Sequence, residues 1–332
     1  MKLTSFAIIF IIIITPFLLI SGIQSRMMCE DYKLRAYYDQ VIDNSVQDAV
    51  FMLSSYRHKS VDDTGLTMQN IREITAETFL DSLYYAFGVH GDITGMARVK
   101  GCVPILLFLE NDSYSIYALN EFKGSDGYRI IDYCWYPKKP YSGEMISDDY
   151  TVSYTLSDTV YIFDRVNNQE LTGPYNDFKD LMPAFGTQAG FDVLRLAAVS
   201  KSIEKDLKYF IGHFNSFNAQ MGVTCEFRFP QIQDADWVRA LTDEGLLVLA
   251  QNFPVITGKR YDYNAFGGAR IIRKPNLVGY IDDHKKVYCK DTCAHFVDLQ
   301  NDPGFDPESI IHFTDAREAA LEGHYPCSLC RP

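Results

Sequence analysis

The sequence predicts an α+β fold led by one long N-terminal helix, and three observations predict it. Residues 5–23 form an almost unbroken apolar run without a charge, about the length of one helical bilayer crossing. From Leu34 onward the apolar residues recur at helical spacing, through Tyr38, Val41, Ile42, Ser45, Ala49, Leu53 and Tyr56, while Arg35, Asp39, Gln40, Asp43, Asn44, Gln47 and Asp48 fill the other face. Between residues 103 and 165, short apolar runs alternate with turn residues, the pattern of antiparallel strands packed on helices.

The first two patterns join without a break. No Gly or Pro lies between Gln24 and Tyr56, so one helix is expected, a transmembrane anchor over residues 1–25 continuing into an amphipathic helix. At about 1.5 Å per residue it would be roughly 80 Å long. A cleaved signal peptide is the alternative, with a passable site at Ile23-Gln24-Ser25. The apolar run exceeds the usual core of roughly 7–15 residues, and the helical pattern carries on beyond it. Lys2 precedes the run and Arg26, Lys33 and Arg35 follow it, a count that favours a cytoplasmic body. A short tail before a folded domain instead suits a signal anchor. The expectation is a single-pass cell-membrane protein with its body outside.

The body, residues 26–275, is read in order. A polar loop spans 59–65. A helix follows, strongest over 75–87, with Phe79, Leu80, Leu83, Tyr84 and Phe87 as its stripe and Gly88 as its stop. His90 and Asp92 beyond it read as turn residues. Residues 103–109 and 114–122 read as a hairpin around Glu110-Asn-Asp-Ser113, with 128–135 as a third strand of the same sheet. Two more strands are expected at 150–156 and 159–165. A second long helix is expected over 191–221, ending at Gly222, with His213 off its stripe. Residues 223–229 alternate and read as a strand with Cys225 inward; 237–251 read as a helix. Residues 261–270 lead into a strand at Ile271 and Ile272, with Gly267-Gly268 as a tight bend at its start.

Charge and motif content narrow the function. The chain of 332 residues carries a net charge of −12, which argues against a general affinity for nucleic acid or anionic lipid. Between residues 59 and 275 there is no nucleophile elbow, no His-Glu-x-x-His and no phosphate-binding loop, so no catalytic residue is assigned. Four of the eight cysteines cluster near the C-terminus: Cys289 and Cys293 as C-x3-C, Cys327 and Cys330 as C-x2-C. Two close pairs of thiolates can close a tetrahedral shell around Zn²⁺, and a structural zinc module over residues 280–332 is expected. Two disulfides are the alternative if the body lies outside the cell.

The segment Tyr288-Cys-Lys-Asp-Thr-Cys293, the run from Phe313 to Gly323 with Ala316, Glu318 and Ala319, and Tyr325-Pro-Cys-Ser-Leu-Cys-Arg-Pro332 resemble the zinc-binding domain of the Ada methylphosphotriester-repair family. The resemblance covers about the last fifty residues. It implies zinc binding by Cys289, Cys293, Cys327 and Cys330, and Cys289 matches the position that accepts a methyl group in that family. Methyl transfer is not carried over. The acids of this segment, among them Asp282, Asp291, Asp298 and Glu318, outnumber its basic residues and would repel a phosphate backbone. His295, His312 and His324 are spare ligand candidates. The front of the chain resembles membrane-anchored, pilin-like proteins of Gram-positive bacteria, although it lacks a basic leader ending in Gly and has no Glu in the apolar run.

These readings converge on a non-enzymatic envelope protein, a structural or docking component of a pilus- or conjugation-like surface apparatus, with other envelope proteins and the membrane as partners. One alternative is a membrane-bound sensor whose body binds a small ligand. The other is a nucleic-acid-binding or alkyl-transfer protein, which would need a contiguous basic face beside Cys289.

Overall fold

The computed structural model describes residues 3–57, 67–141, 149–222, 226–254, 260–271, 277–282, 285–291, 293–300, 309–313 and 316–330. The chain divides into two compact units, Met1–Ile271 and Ile272–Pro332.

The first unit opens with α1 (Leu3–Arg57), one helix with Pro16 inside it. The transmembrane helix and the single-pass membrane localisation expected from this segment are overturned. Among the described residues, no helix is long and apolar enough to cross a membrane. The same helix carries on into Gln24, Arg26 and Glu30. A crossing takes about 20 predominantly apolar residues.

The amphipathic half of α1 is built as its period requires. Tyr38, Val41, Ile42, Ser45, Ala49 and Leu53 are buried, and Gln40, Asn44, Gln47 and Asp48 are exposed. Beside it lies α2 (Met68–Ala86), which starts earlier than its apolar stripe suggests. Thr67 and Asn70 form a reciprocal cap at its start, and Gly88 follows its end at φ +65°. Asp92 caps α3 (Ile93–Lys100) by accepting from the Thr94 N–H, and His90 stacks on Tyr85 at 4.0 Å.

The expected hairpin is present as β1 (Ile105–Leu109) and β2 (Ser113–Lys123), antiparallel, with β3 (Arg129–Trp135) beyond β2 and the short β4 (Lys139–Pro140) also on β2. The strands β5 (Tyr150–Tyr154), β6 (Thr159–Asp164) and β7 (Gln169–Pro174) make a separate antiparallel sheet. The second long helix, α4 (Gln188–Gln220), ends before Gly222 at φ +73°. A short α5 (Asp234–Ala240) leads into β8 (Gly245–Pro254) and β9 (Arg260–Arg270), which complete the main sheet in the order β3-β2-β1-β8-β9.

Both faces of that sheet are covered. Ile105, Leu107 and Leu109 of β1 and Leu247 and Leu249 of β8 join Ile203, Phe210 and Phe214 of α4 and the inner face of the small sheet. Leu106, Phe108, Leu246 and Val248 point the other way, into a cluster with α1 and α2. Double coverage explains one correction. Residues 237–251 read as a helix, yet only Asp234–Ala240 is helical. The apolar run Leu246-Leu-Val-Leu-Ala250 is a central strand buried on both sides, where a continuous apolar run replaces alternation.

A second correction concerns Gly267 and Gly268. They lie inside β9 and not at a bend before a strand; the strand is Arg260–Arg270 itself, and Ile272 lies outside the described residues. A Cβ on Gly267 would sit 2.5 Å from Ile42 Cγ2 and 3.3 Å from Val46 Cγ2, so the glycine lets α1 approach the sheet. Polar contacts fix the same approach: Tyr263 OH donates to Asp39 at 2.7 Å, and Arg35 Nε donates to Tyr261 OH at 3.2 Å.

A third correction concerns the alternation at 223–229. Cys225 lies outside the described residues, and residues 226–229 form no strand. The Asn215 side chain supplies what a neighbouring strand would have: its Oδ1 accepts from the Phe227 N–H and its Nδ2 donates to the Phe227 carbonyl, both at 2.8 Å.

The second unit is a four-stranded sheet, β12-β10-β11-β13, from β10 (Leu277–Asp282), β11 (Lys285–Lys290), β12 (Ile311–Phe313) and β13 (Tyr325–Pro326). One face carries Val278, Tyr280 and Cys289 towards α6 (Ala294–Gln300), whose Phe296 joins them. The other carries Leu277, Tyr288 and Phe313 against Ala319 of α7 (Ala316–Leu321). Both clusters are small for a self-supporting unit.

Candidate metal centre

Four short pieces of chain bring the cysteines together. Cys289 lies near the end of β11, opposite Val278 of β10. The chain turns at once: the Cys293 N–H donates to the Lys290 carbonyl at 2.9 Å, and Cys293 O accepts from Val297 in the first turn of α6. The second pair arrives through β13, which runs parallel to β11 and is tied to it where the Cys327 N–H donates to the Tyr288 carbonyl at 2.9 Å. Residues 328–330 then turn back and place Cys330 beside Cys327. Gly323, at φ +78°, sets the direction of the entry into β13.

The sulfurs of Cys293, Cys327 and Cys330 lie within 4.8 Å of one another. Cys289 lies alongside, wholly buried, with its Sγ accepting from the Tyr280 hydroxyl and within electrostatic range of the other three. All four are free thiols and none is joined in a disulfide. Cys293, Cys327 and Cys330 could hold a metal ion, with Cys289 beside them as a nearby fourth sulfur.

The proton balance of the cluster is uneven. Burial pushes the Cys289 thiol up to about 12, although the Tyr280 hydroxyl opposes it. Burial also raises Cys330, with the sulfurs of Cys293 and Cys327 adding to it. Burial acts the same way on Cys293 but is outweighed by the N–H groups of Phe296 and His295, which hold it below the ordinary thiol range. Cys327 is also lowered: burial opposes, and the N–H groups of Cys330 and Leu329 and the ring of His295 prevail. Neighbouring sulfurs cannot all ionise unaided. A dication among them would favour the thiolate of each, so this donor set suits a thiophilic metal.

The surrounding residues extend the site. The Tyr280 hydroxyl faces Cys289 on one side and lies 3.2 Å from His295 Nδ1 on the other. The same ring nitrogen is 3.9 Å from Cys327 Sγ, and His295 Nε2 is 3.5 Å from the Asp282 carboxylate. His295 therefore stands beside the cluster, oriented by an acid. His324 is buried against Phe313, with ring centroids 4.9 Å apart. A Cβ on Gly279 would meet both rings at 2.4 and 2.9 Å, so a glycine is required there. His312 is exposed on β12.

The cysteine spacing pointed to four residues, of which Cys293, Cys327 and Cys330 lie within 4.8 Å of one another. It gave no sign of Tyr280 or Asp282, which precede the first cysteine and join the site only through the β10–β11 pairing. The one available signal was period-two alternation, which puts Val278 and Tyr280 on one face of β10. Comparison of the chain with protein-family models, curated proteins and solved structures finds no match.

Proposed function

We propose that this chain is a non-enzymatic structural or docking protein whose C-terminal unit is closed by one Zn²⁺ on Cys289, Cys293, Cys327 and Cys330. The observation that carries the reading is the meeting of the free sulfurs of Cys293, Cys327 and Cys330, from two separate chain segments, within 4.8 Å of one another, with the buried Cys289 beside them as the fourth. Thiolates select zinc among the common divalent ions, and a closed four-thiolate shell is the structural form of such a site. The small apolar clusters of this unit give the metal a reason to be there, since metal binding adds directly to folding free energy.

Two further features support a structural role over an alkyl-transfer one. Cys289, at the position matching the methyl acceptor of the resembling family, is 0% exposed. Its sulfur is engaged by the Tyr280 hydroxyl, which would have to be displaced before an electrophile reached it. The docking role is supported by α1. Phe17, Leu18, Leu19, Ile23 and Met28 are all more than half exposed, an apolar surface of the kind that partner proteins cover.

The test is elemental analysis of the purified chain beside Cys327→Ser. One zinc per chain is expected, lost in the variant, with residues 277–330 becoming protease-sensitive while the first unit keeps its resistance. A metal-free wild type whose C-terminal protease resistance is unchanged by the substitution would refute the assignment.

A further inference from the structure

The outward face of the small sheet carries a second site, independent of the cysteines. Side chains alternate across β5, β6 and β7. Val152, Tyr154, Val160 and Ile162 point into the core. On the other face of the central strand β6 stand Tyr161 and Phe163, 40% and 36% exposed. A solvent-facing strand needs no aromatic ring for its pairing, and this one presents two in succession. They stand roughly 7 Å apart, from the rise of two strand residues.

Their neighbours are polar. Ser153 is paired with Tyr161 and Thr151 with Phe163 on the β5 side; Thr172 and Glu170 are their partners on β7. Among the described residues, the Thr151, Ser153 and Glu170 side chains have no hydrogen-bond or ionic partner. A cavity of about 460 Å³ lies over this face, and its opposite wall is formed by Asp112 and Ser113 at the start of β2 with Lys138 and Pro140 at β4. Lys138 is neutralised at 2.8 Å by Glu110, and Asp112 accepts from the Ser113 hydroxyl at 2.8 Å. The volume falls within the range of small-molecule sites, about 300–1,000 Å³.

A ligand that fits must have a flat apolar face to lie on the rings and a rim of hydroxyls to meet Glu170, Thr151 and Ser153. A pyranose has that shape. Its axial C–H bonds present positive partial charge to the negative face of an aromatic ring, and its equatorial hydroxyls reach the polar rim. A nucleotide is disfavoured, because Asp112 and Glu170 would repel its phosphate. A quaternary ammonium is held best by rings that surround it, whereas Tyr161 and Phe163 stand side by side on one face. We propose that the outward face of β5, β6 and β7 is a binding site for a neutral pyranose sugar, stacked on Tyr161 and Phe163 and hydrogen-bonded by Glu170, Thr151 and Ser153.

The test is saturation-transfer NMR on the full chain with glucose, galactose, N-acetylglucosamine, lactose and cellobiose at about 10 mM, enough to occupy a site of millimolar Kd. At least one sugar is expected to receive transfer, strongest at the C–H protons of one ring face. Tyr161→Ala and Phe163→Ala should each weaken it about two- to tenfold, the scale of losing one stacked ring. Both side chains point outward, so the circular dichroism of the variants should match the wild type. Tetramethylammonium is the competing probe. No transfer to any of these sugars, transfer that survives both substitutions, or ring-dependent binding of tetramethylammonium alone would each overturn the proposal.

Discussion

Tyr280→Phe isolates the part of the metal centre that lies outside the cysteines. The ring is 1% exposed and lies against Phe296 with centroids 5.4 Å apart, and phenylalanine keeps that packing. What is lost is one O–H. Burial first, and then its bond to Cys289, hold this hydroxyl protonated well above the ordinary tyrosine range, so it remains a donor across the working pH range. With a cation bound, its acceptor Cys289 is a thiolate. A hydrogen bond to a charged acceptor is worth about 1.5–3 kcal/mol. Removing one outer-shell contact of this kind lowers metal affinity roughly 10- to 100-fold. The lower end is expected here, because the substitution also removes the cost of burying the hydroxyl. The assay is competition for Zn²⁺ against a chromophoric chelator, with Tyr288→Phe as control. Tyr288 lies on the opposite face of the sheet, with Leu277 and Phe313, and its substitution should leave affinity within about twofold, the ordinary scale of a small context effect. A Tyr280→Phe affinity equal to wild type, or an equal loss in both variants, would refute the reasoning.

Two further outcomes test the fold. Gly267→Ala places a methyl 2.5 Å from Ile42 Cγ2 and should cost about 1–3 kcal/mol in urea unfolding of the first unit. In the double variant with Ile42→Ala the costs should fall short of their sum by about 1 kcal/mol, and strict additivity would contradict the close approach of α1 to β9. Asp164 is held below the ordinary carboxylate range, first by the Asn167 N–H, then by the Asn167 side-chain amide, with the Val166 N–H adding. A lowered folded pKa contributes order above the unfolded value of about 3.9 that is lost as pH falls through the folded one. The Val166 and Asn167 amide resonances should therefore move at acid pH below that value, and invariant resonances down to about pH 2 would contradict the bonds.

The sequence was most legible where one face alone is buried or where a turn signal separates two apolar runs. The stripe on α1 from Tyr38 to Leu53 and the β1–β2 hairpin follow directly from period and turn chemistry. It misled where two-sided burial comes without such a turn signal, or where local propensity has a tertiary substitute. Leu246–Ala250 carries no alternation because clusters cover both faces of β8. Asn215 replaces a strand partner for Phe227 from twelve residues away. The apolar N-terminal run suggested a membrane crossing, but among the described residues no helix meets the length and apolarity that a crossing needs. At the metal centre the local cysteine spacing singled out four cysteines, three of which meet within 4.8 Å, whereas Tyr280, His295 and Asp282 gather around them only through strand pairing and the placement of α6.

The central claim is that one zinc ion closes the C-terminal unit through four sulfurs, and X-ray absorption at the zinc edge of the purified chain tests it most directly. The expected spectrum is a single shell of four sulfurs at about 2.3 Å, with one zinc per chain and the sulfur number falling to three in Cys289→Ser. A shell containing nitrogen or oxygen at about 2.0 Å, a spectrum unchanged by Cys289→Ser, or purified protein without zinc would contradict it.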